Sequence, residues 1–258
     1  MIGIFDSGLG GLTVVKALTD KLPNYSIIYF GDTARLPYGT KEPRLIRAWS
    51  HQNVAWLKNK GAKVIVVACH TSSTIAGQEL KKDFALPVFE MTTPLLEIVK
   101  ENQGRRLGII GTPATIQSGF YQNQFRESNP QVFFQACPLF APLVEENWID
   151  KPGTKEIVEA TLASLKNHKI EVLVLACTHY PLLRKIIQET LPHVQILDPA
   201  QRLAANLKNF LEQHPEIDKT LKKGSHQFFF SAHPYHLSSI SQSFLGEKIQ
   251  ANIVFSHE

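Results

Sequence analysis

Two cysteines in this 258-residue sequence have neighbours suited to proton transfer. Cys69 lies in Ala68-Cys69-His70-Thr71-Ser72-Ser73, and Cys177 lies in Ala176-Cys177-Thr178-His179-Tyr180-Pro181. Each follows an apolar run and precedes a helical pattern. Thr71, Ser72 and Ser73 are suitable helix N-caps, and Pro181 suits a first helical position. A helix N-terminus favours the thiolate, so a free thiol value of about 8.5 is expected to move toward neutrality. Such a group can take or return a proton. Either cysteine alone reads as a small buried residue. The matched pair, each flanked by hydroxyl and imidazole groups, reads as an acid–base pair. Cys137, in Ala136-Cys137-Pro138-Leu139, has no polar neighbour and reads as structural.

Metal and nucleotide chemistry fit less well. Cys-x-x-Cys does not occur, and neither Cys-His nor Cys-Thr-His has zinc-ligand spacing, so no metal is expected. Asp6-Ser7-Gly8-Leu9-Gly10-Gly11 follows the first apolar run and opens a helix. Such a turn can aim N–H groups at a carboxylate or phosphate, or it can be a tight turn and nothing more. It lacks both the dinucleotide glycine spacing and the Walker lysine. The polar loop Gly31-Asp32-Thr33-Ala34-Arg35-Leu36-Pro37-Tyr38-Gly39 carries the same two readings, ligand contact or ordinary solvated turn.

The elements that would position these residues alternate in type. Apolar runs occur at Ile2–Phe5, Ser26–Phe30, Lys63–Ala68, Arg106–Ile110, Val132–Gln135, Val172–Ala176, Val194–Leu197 and Gln227–Ser231. Helical periodicity covers roughly 41–59, 72–83, 154–167, 181–190 and 199–213. Apolar strands separated by helices imply an α/β fold with parallel strands covered on both faces. Ile2-Gly3-Ile4-Phe5-Asp6-Ser7 recurs as Leu107-Gly108-Ile109-Ile110-Gly111-Thr112, an offset of 105 residues. Lys63–Cys69 recurs as Glu171–Cys177 at an offset of 108. Two matches at nearly one offset predict a repeated α/β unit. Each copy then carries a cysteine at the carboxyl end of a strand, where open α/β sheets bind ligands.

Composition narrows the class. Hydrophobic residues make up 43% and charged residues 19%, which predicts a globular chain with an ample core. The formal charge is +4, and basic residues cluster only as pairs such as Lys81-Lys82, Arg105-Arg106 and Lys222-Lys223. Nucleic-acid binders carry a basic stripe or patch, so no nucleic-acid partner is expected. No run reaches the roughly 18 apolar residues of a membrane span. The N-terminus shows no basic region or cleavage site, and three cysteines do not suggest a disulfide framework. A reducing cytoplasm is the expected location.

The same residues closely resemble the glutamate racemases of bacterial cell-wall synthesis, almost end to end. The resemblance is carried by Gly3-Ile4-Phe5-Asp6-Ser7-Gly8-Leu9-Gly10-Gly11-Leu12-Thr13, then Gly31-Asp32-Thr33-Ala34-Arg35 with Pro37-Tyr38-Gly39. It continues through Val67-Ala68-Cys69, Gly111-Thr112, Thr115-Ile116-Gln117-Ser118, and Cys137-Pro138-Leu139-Phe140 with Pro142-Leu143-Val144-Glu145-Glu146. It ends with Cys177-Thr178-His179-Tyr180-Pro181-Leu182-Leu183.

This resemblance implies two similar flavodoxin-like domains, 1–92 plus 205–258 and 93–204, with the active site in the cleft between them. It implies interconversion of L- and D-glutamate for peptidoglycan without a cofactor, by a homodimer. Cys69 and Cys177 would be the acid–base thiols, assisted by Asp6 and His179 respectively, with Glu145 close to His179. Ser7, Tyr38, Gly39, Thr71 and Thr178 would hold the substrate, together with Asp6, His179, Thr112 and Thr115. The family motif Cys-Asn-Thr is here Cys69-His70-Thr71, so His70 takes an asparagine's place at a substrate contact. With an ordinary pKa of about 6.5, His70 would turn cationic in mild acid and repel the substrate's ammonium group. Pro87-Val88-Phe89-Glu90-Met91-Thr92-Thr93-Pro94 also departs from a usually more apolar, glycine-containing stretch. The alternatives are a racemase of aspartate or a hydantoin, and a binding or regulatory relative that has lost turnover.

Overall fold

A computed structural model of the chain describes residues 1–125 and 131–254. The chain opens with β1 (Ile2–Asp6), α1 (Leu12–Lys21), β2 (Ile27–Gly31), α2 (Pro43–Asn59), β3 (Val64–Val67) and α3 (His70–Asp83). It continues with β4 (Val88–Glu90), α4 (Thr92–Glu101), β5 (Leu107–Gly111), α5 (Pro113–Gln117), α6 (Phe120–Phe125), β6 (Val132–Ala136) and α7 (Phe140–Glu145). Next are α8 (Thr154–Asn167), β7 (Val172–Ala176), α9 (Arg184–Thr190), β8 (Gln195–Leu197) and α10 (Pro199–Gln213). Last are α11 (Pro215–Asp218), β9 (Gln227–Phe230), α12 (Leu237–Leu245) and β10 (Asn252–Ile253).

The strands form two sheets, β10-β9-β2-β1-β3-β4 and β6-β5-β7-β8, and every strand pair is parallel. Taken in chain order, strands one to four of each sheet are arranged 2-1-3-4. That shared order is the structural form of the sequence duplication, and it matches the start of the flavodoxin arrangement. β1, β2, β3, β5 and β7 are buried at every position, as parallel strands covered on both faces require. The chain returns to the first sheet at its end, where β9 pairs with β2. One apolar cluster runs from Ile2, Ile4 and Val66 under the first sheet to Leu173, Leu175 and Leu203, so the two sheets share a core.

The expected strands form to within a residue at each end. Two more, β4 and β10, span three and two residues, too short for a periodic signal. β4 lies in the departing Pro87–Pro94 stretch. There Glu90 accepts hydrogen bonds from the N–H groups of Thr92 and Thr93, so a strand end serves as the cap of α4.

The helix starts beside the two cysteines differ from expectation. α3 begins at His70, with Cys69 itself as N-cap, its sulfur accepting the Ser72 N–H at 3.5 Å. Thr71, Ser72 and Ser73 therefore lie inside the first turn. Ser73 Oγ instead donates to the carbonyls of Cys69 and Val67, fastening the helix to β3. After Cys177, the expected helix from 181 starts as a 3-10 turn over Tyr180–Leu183, and α9 follows only from Arg184.

Candidate active site

Register brings the conspicuous residues to one edge. Phe5 pairs with Val67, so Asp6 and Ser7 emerge next to Ala68 and Cys69. Gly111 pairs with Ala176 in the second sheet, so Thr112 emerges next to Cys177. The two carboxyl-end edges meet around a cavity of about 20 Å³. The first sheet supplies Ser7, Tyr38, Gly39, Cys69, His70 and Thr71; the second supplies Thr112, Glu145, Cys177, Thr178 and His179. Pro37, from the loop already read as a possible ligand contact, and Ala141, which nothing in its sequence context marked, also line it. Asp6 and Thr115 stand one layer behind, fully buried.

The surroundings of the two sulfurs differ. Cys69 Sγ lies 3.9 Å from Ser7 Oγ as well as accepting the Ser72 N–H. Burial, followed by the Asp6 carboxylate, pushes its pKa up to about 11. The expectation of a near-neutral thiol is therefore corrected for Cys69: one helix N-terminus does not offset complete desolvation. The Asp6 carboxyl is itself pushed up by burial and pulled down by His179 and the Gly8 N–H. Its oxygens accept from Gly8 N at 3.0 Å and Thr178 Oγ1 at 3.3 Å. The Asp6–Gly11 turn thus spends an N–H on its own aspartate and bridges to the other sheet through Thr178.

Cys177 Sγ lies 3.7 Å from His179 Nδ1. His179 Nε2 lies 3.0 Å from Glu145 Oε1, an ion-pair distance without hydrogen-bond alignment. Burial alone would lower the pKa of this histidine, but Cys177 and Glu145 together raise it well above its ordinary value. His179 is thus pushed toward its protonated form beside Cys177, while Cys69 faces a carboxyl. Gly10 makes room for this group, since a Cβ there would stand 2.6 Å from the His179 ring. Cys137 is buried, with its sulfur directed to the Gln135 carbonyl and its thiol pushed up by burial, and it does not line the cavity.

Tyr38 and His70 occupy the cavity wall in unexpected ways. The Tyr38 hydroxyl donates to Asp32 and accepts from Asn53 Nδ2 at 3.1 Å, so it is committed away from a ligand. Asp32 also accepts from Ser231 Oγ at 2.9 Å, tying the Gly31–Gly39 loop to the returning chain after β9. Asp32, Tyr38 and Gly39 of that loop are buried, whereas Thr33, Arg35, Leu36 and Pro37 are half-buried and Ala34 is exposed. Sequence inspection singled out neither Asn53 nor Ser231, because their partners lie far away along the chain. His70 is 3% exposed, and its Nδ1 has no hydrogen-bond partner among the described residues. Burial pushes its pKa down to about 3, with Glu90 opposing. The expected charging of His70 in mild acid is corrected accordingly: no counter-charge near the ring is strong enough to offset its desolvation.

Two hydroxyls, Thr71 and Thr112, close the remaining wall, with Thr115 behind them. Thr71 Oγ1 lies 2.9 Å from Thr112 Oγ1 and 3.1 Å from Thr115 Oγ1, which are 2.9 Å from each other. Thr112 also caps α5 by accepting the Thr115 N–H. Among the described residues no group of three His, Cys, Asp or Glu side chains could hold a metal ion, and no helix is long and apolar enough to cross a membrane.

Two thiols facing one cavity from opposite sheets suit proton exchange at a carbon held between them. Comparison with known proteins gives the family. Residues 12–207 match the family described as Asp/Glu/Hydantoin racemase. A glutamate racemase of Aquifex aeolicus is 41% identical over 98% of this chain and 96% of its own length. The crystal structure of the Francisella tularensis glutamate racemase in complex with D-glutamate superposes with a TM-score of 0.89 at 34% identity, covering 99% of this chain and 97% of that one. An aspartate racemase of Picrophilus torridus, at 18% identity and a TM-score of 0.55 over 86% of this chain and 95% of its own, shares the fold. The chain belongs to the Asp/Glu/Hydantoin racemase family and is an amino-acid racemase.

Proposed function

We propose that the chain interconverts L- and D-glutamate with Cys69 and Cys177 as its two acid–base groups and without a cofactor. The observation that carries this is the pair of cysteines at equivalent strand ends of two sheets, both lining one cavity. The substrate follows from the relatives, which are named glutamate racemases over nearly their whole length.

Inversion of a stereocentre needs a base on one face and an acid on the other. One cysteine, as thiolate, removes the Cα proton, and the other, as thiol, delivers a proton to the opposite face. One S–H bond forms as the other breaks, and the roles exchange for the opposite enantiomer. Cys69 is held as the thiol by burial in the closed cavity. A substrate ammonium group near Cys69 favours its thiolate when it must act as base. His179, held by Glu145, supplies the corresponding positive charge beside Cys177. The carbanion between the thiols has no cofactor to accept its charge, so the hydroxyls of Ser7, Thr71, Thr112 and Thr178 serve as its donors. His70, kept neutral, offers one donor and one acceptor as an asparagine amide would.

In this reading residues 1–92 with 205–258 and residues 93–204 are the two domains. The enzyme works in the cytoplasm as a homodimer and supplies D-glutamate for peptidoglycan. The test is circular dichroism of L-glutamate incubated with dialysed, chelator-treated protein. Decay of the signal to zero is expected; a strict need for added metal or pyridoxal phosphate overturns the cofactor-free reading. Parallel incubations with aspartate and a hydantoin should show far slower loss, and faster turnover of either would reassign the substrate.

A further inference from the structure

The chain crosses between its sheets just after β4, and a buried serine ties that crossing to Cys69. Val67 pairs with Glu90, so Met91 and Thr92 emerge beside Ala68 and Cys69 at one sheet edge. α4 then leads away to β5 of the second sheet. Met91 is buried and packs in the shared core with Val66 and Ala68. Its N–H donates to Ser73 Oγ at 3.0 Å. Ser73 Oγ in turn donates to the Cys69 carbonyl at 2.9 Å and reaches the Val67 carbonyl at 3.2 Å. Donation from a helical serine to the carbonyl four residues back is ordinary. Acceptance of the Met91 N–H at the same oxygen is an added constraint.

The crossing itself is clamped. Glu90 is buried, and its carboxylate accepts from the N–H and hydroxyl groups of both Thr92 and Thr93. It also accepts from Lys81 Nζ at 2.6 Å, and Lys81 belongs to α3, the helix that carries Ser73. Burial would push this carboxyl up, but Lys81 and the threonine donors hold it below the usual carboxylate range. The first turn of α4 therefore cannot shift without disturbing this carboxylate or Ser73. Ser73 is buried and does not line the cavity. It touches only the backbone that carries the sulfur and the backbone of the crossing.

We propose that Ser73 is a positioning residue for Cys69, its hydroxyl carrying the placement of the crossing between the sheets onto the backbone of the thiol. The proposal rests on the reading of Cys69 as one of the two acid–base groups. A shift of the second sheet against the first passes through this crossing and reaches Cys69 by way of Ser73 Oγ. Without the hydroxyl, the buried Met91 N–H loses its acceptor and the Cys69 carbonyl loses a donor.

Ser73→Ala should lower kcat about 10- to 100-fold, the cost of a misplaced reacting group, with KM for both enantiomers within about threefold of wild type. Calorimetric binding of D-glutamate should be equally unaltered, because no cavity group is lost. Ser73→Thr keeps the hydroxyl and should restore kcat to within about threefold. Ser73→Cys fills the same space with a much weaker donor and acceptor, and gives the same kcat loss should the alanine variant melt early. Thermal melting of each variant separates loss of fold from loss of turnover. Glu90→Gln sets an amide donor against the threonine donors and loosens the crossing, so kcat should fall about three- to tenfold. Coupling through the hydroxyl predicts that Ser73→Ala combined with Glu90→Gln loses no more than Ser73→Ala alone. Losses that multiply would show that crossing and serine act separately, and would overturn the link. Unchanged kcat in Ser73→Ala and Ser73→Cys, or a loss confined to KM, overturns the positioning role while Cys69→Ala stays inactive. Full racemisation by Cys69→Ala overturns instead the acid–base reading on which the proposal rests.

Discussion

The two halves of the cavity start from the same plan and end in different chemistry. β3 and β7 occupy equivalent places, and each leads directly to an Ala-Cys pair whose cysteine is 5% and 6% exposed respectively. Beyond the cysteine the halves diverge. Cys69 caps the 14-residue α3, whose Ser72 N–H is directed onto the sulfur. Cys177 is followed by a short 3-10 turn that swings His179 back onto the sulfur, with Glu145 of α7 behind it. One half relies on a helix terminus and a buried carboxyl, the other on an imidazolium. Equal burial with unequal partners teaches that the backbone repeat positions the two thiols, whereas the residues just after each strand decide which groups stand beside them.

The largest effect expected is from removing either sulfur. Cys69→Ala and Cys177→Ala should each lower racemisation by at least the 100- to 10,000-fold or so that acid–base groups contribute. Binding of glutamate should survive, because the hydroxyl wall stays. Full racemisation by either variant, followed by circular dichroism, would remove the comparison altogether.

His179→Asn should rank next, lowering kcat/KM roughly 10- to 100-fold by taking away the charge beside Cys177. Enantiomers have equal free energy in water, so kcat/KM must fall equally in both directions. An asymmetry between the halves can therefore appear only in kcat and KM taken separately. Asp6→Asn, on the opposite side, should perturb those constants in the other direction of turnover. Identical patterns from the two variants would show that the halves act as one unit.

A smaller contrast should be visible without turnover. At pH 8 a thiol with a pKa of about 11 is thiolate in roughly one part per thousand. Access to the two sulfur residues is nearly equal and only Cys177 has an imidazole beside its sulfur, so iodoacetamide should label Cys177 faster than Cys69. Peptide mapping over time measures the ratio. Faster labelling of Cys69 would reverse the assignment of which half is held as thiol.

Much of this plan was legible in the sequence, and the reasons for the gaps are physical. The Ala-Cys strand ends and the paired offsets exposed the duplication, because buried parallel strands must be continuous apolar runs. The motif residues converge as expected, except that Asp6 and Thr115 stand behind the wall. What could not be read is set by burial and by distant partners. The pKa of Cys69 follows from desolvation that no local motif records. Tyr38 turns its hydroxyl to Asp32 because Asn53 and Ser231 approach from α2 and from beyond β9. β4 was hidden because its three residues are too few to give a periodic signal.

His70 gives the smallest effect and the cleanest separation of site from fold. It lines the cavity next to Cys69, where a charge would act on both substrate and thiol. Burial holds its pKa near 3, so the ring is neutral throughout the range in which an ordinary histidine titrates. The kcat/KM profiles of wild type and His70→Asn should therefore superimpose in shape from about pH 5 to 8. Stability should behave differently. Below about pH 6.5 the unfolded chain protonates this histidine and the folded chain does not, so folding loses free energy as pH falls. The loss reaches about 2 kcal/mol between pH 6.5 and 5 for a fully excluded proton. His70→Asn removes that proton uptake, so its urea midpoint should fall less steeply over the same interval. An acid limb in activity that disappears in His70→Asn would mean that the ring does gain its proton inside the cavity. Parallel stability curves would mean that it is far less sealed than its 3% exposure indicates.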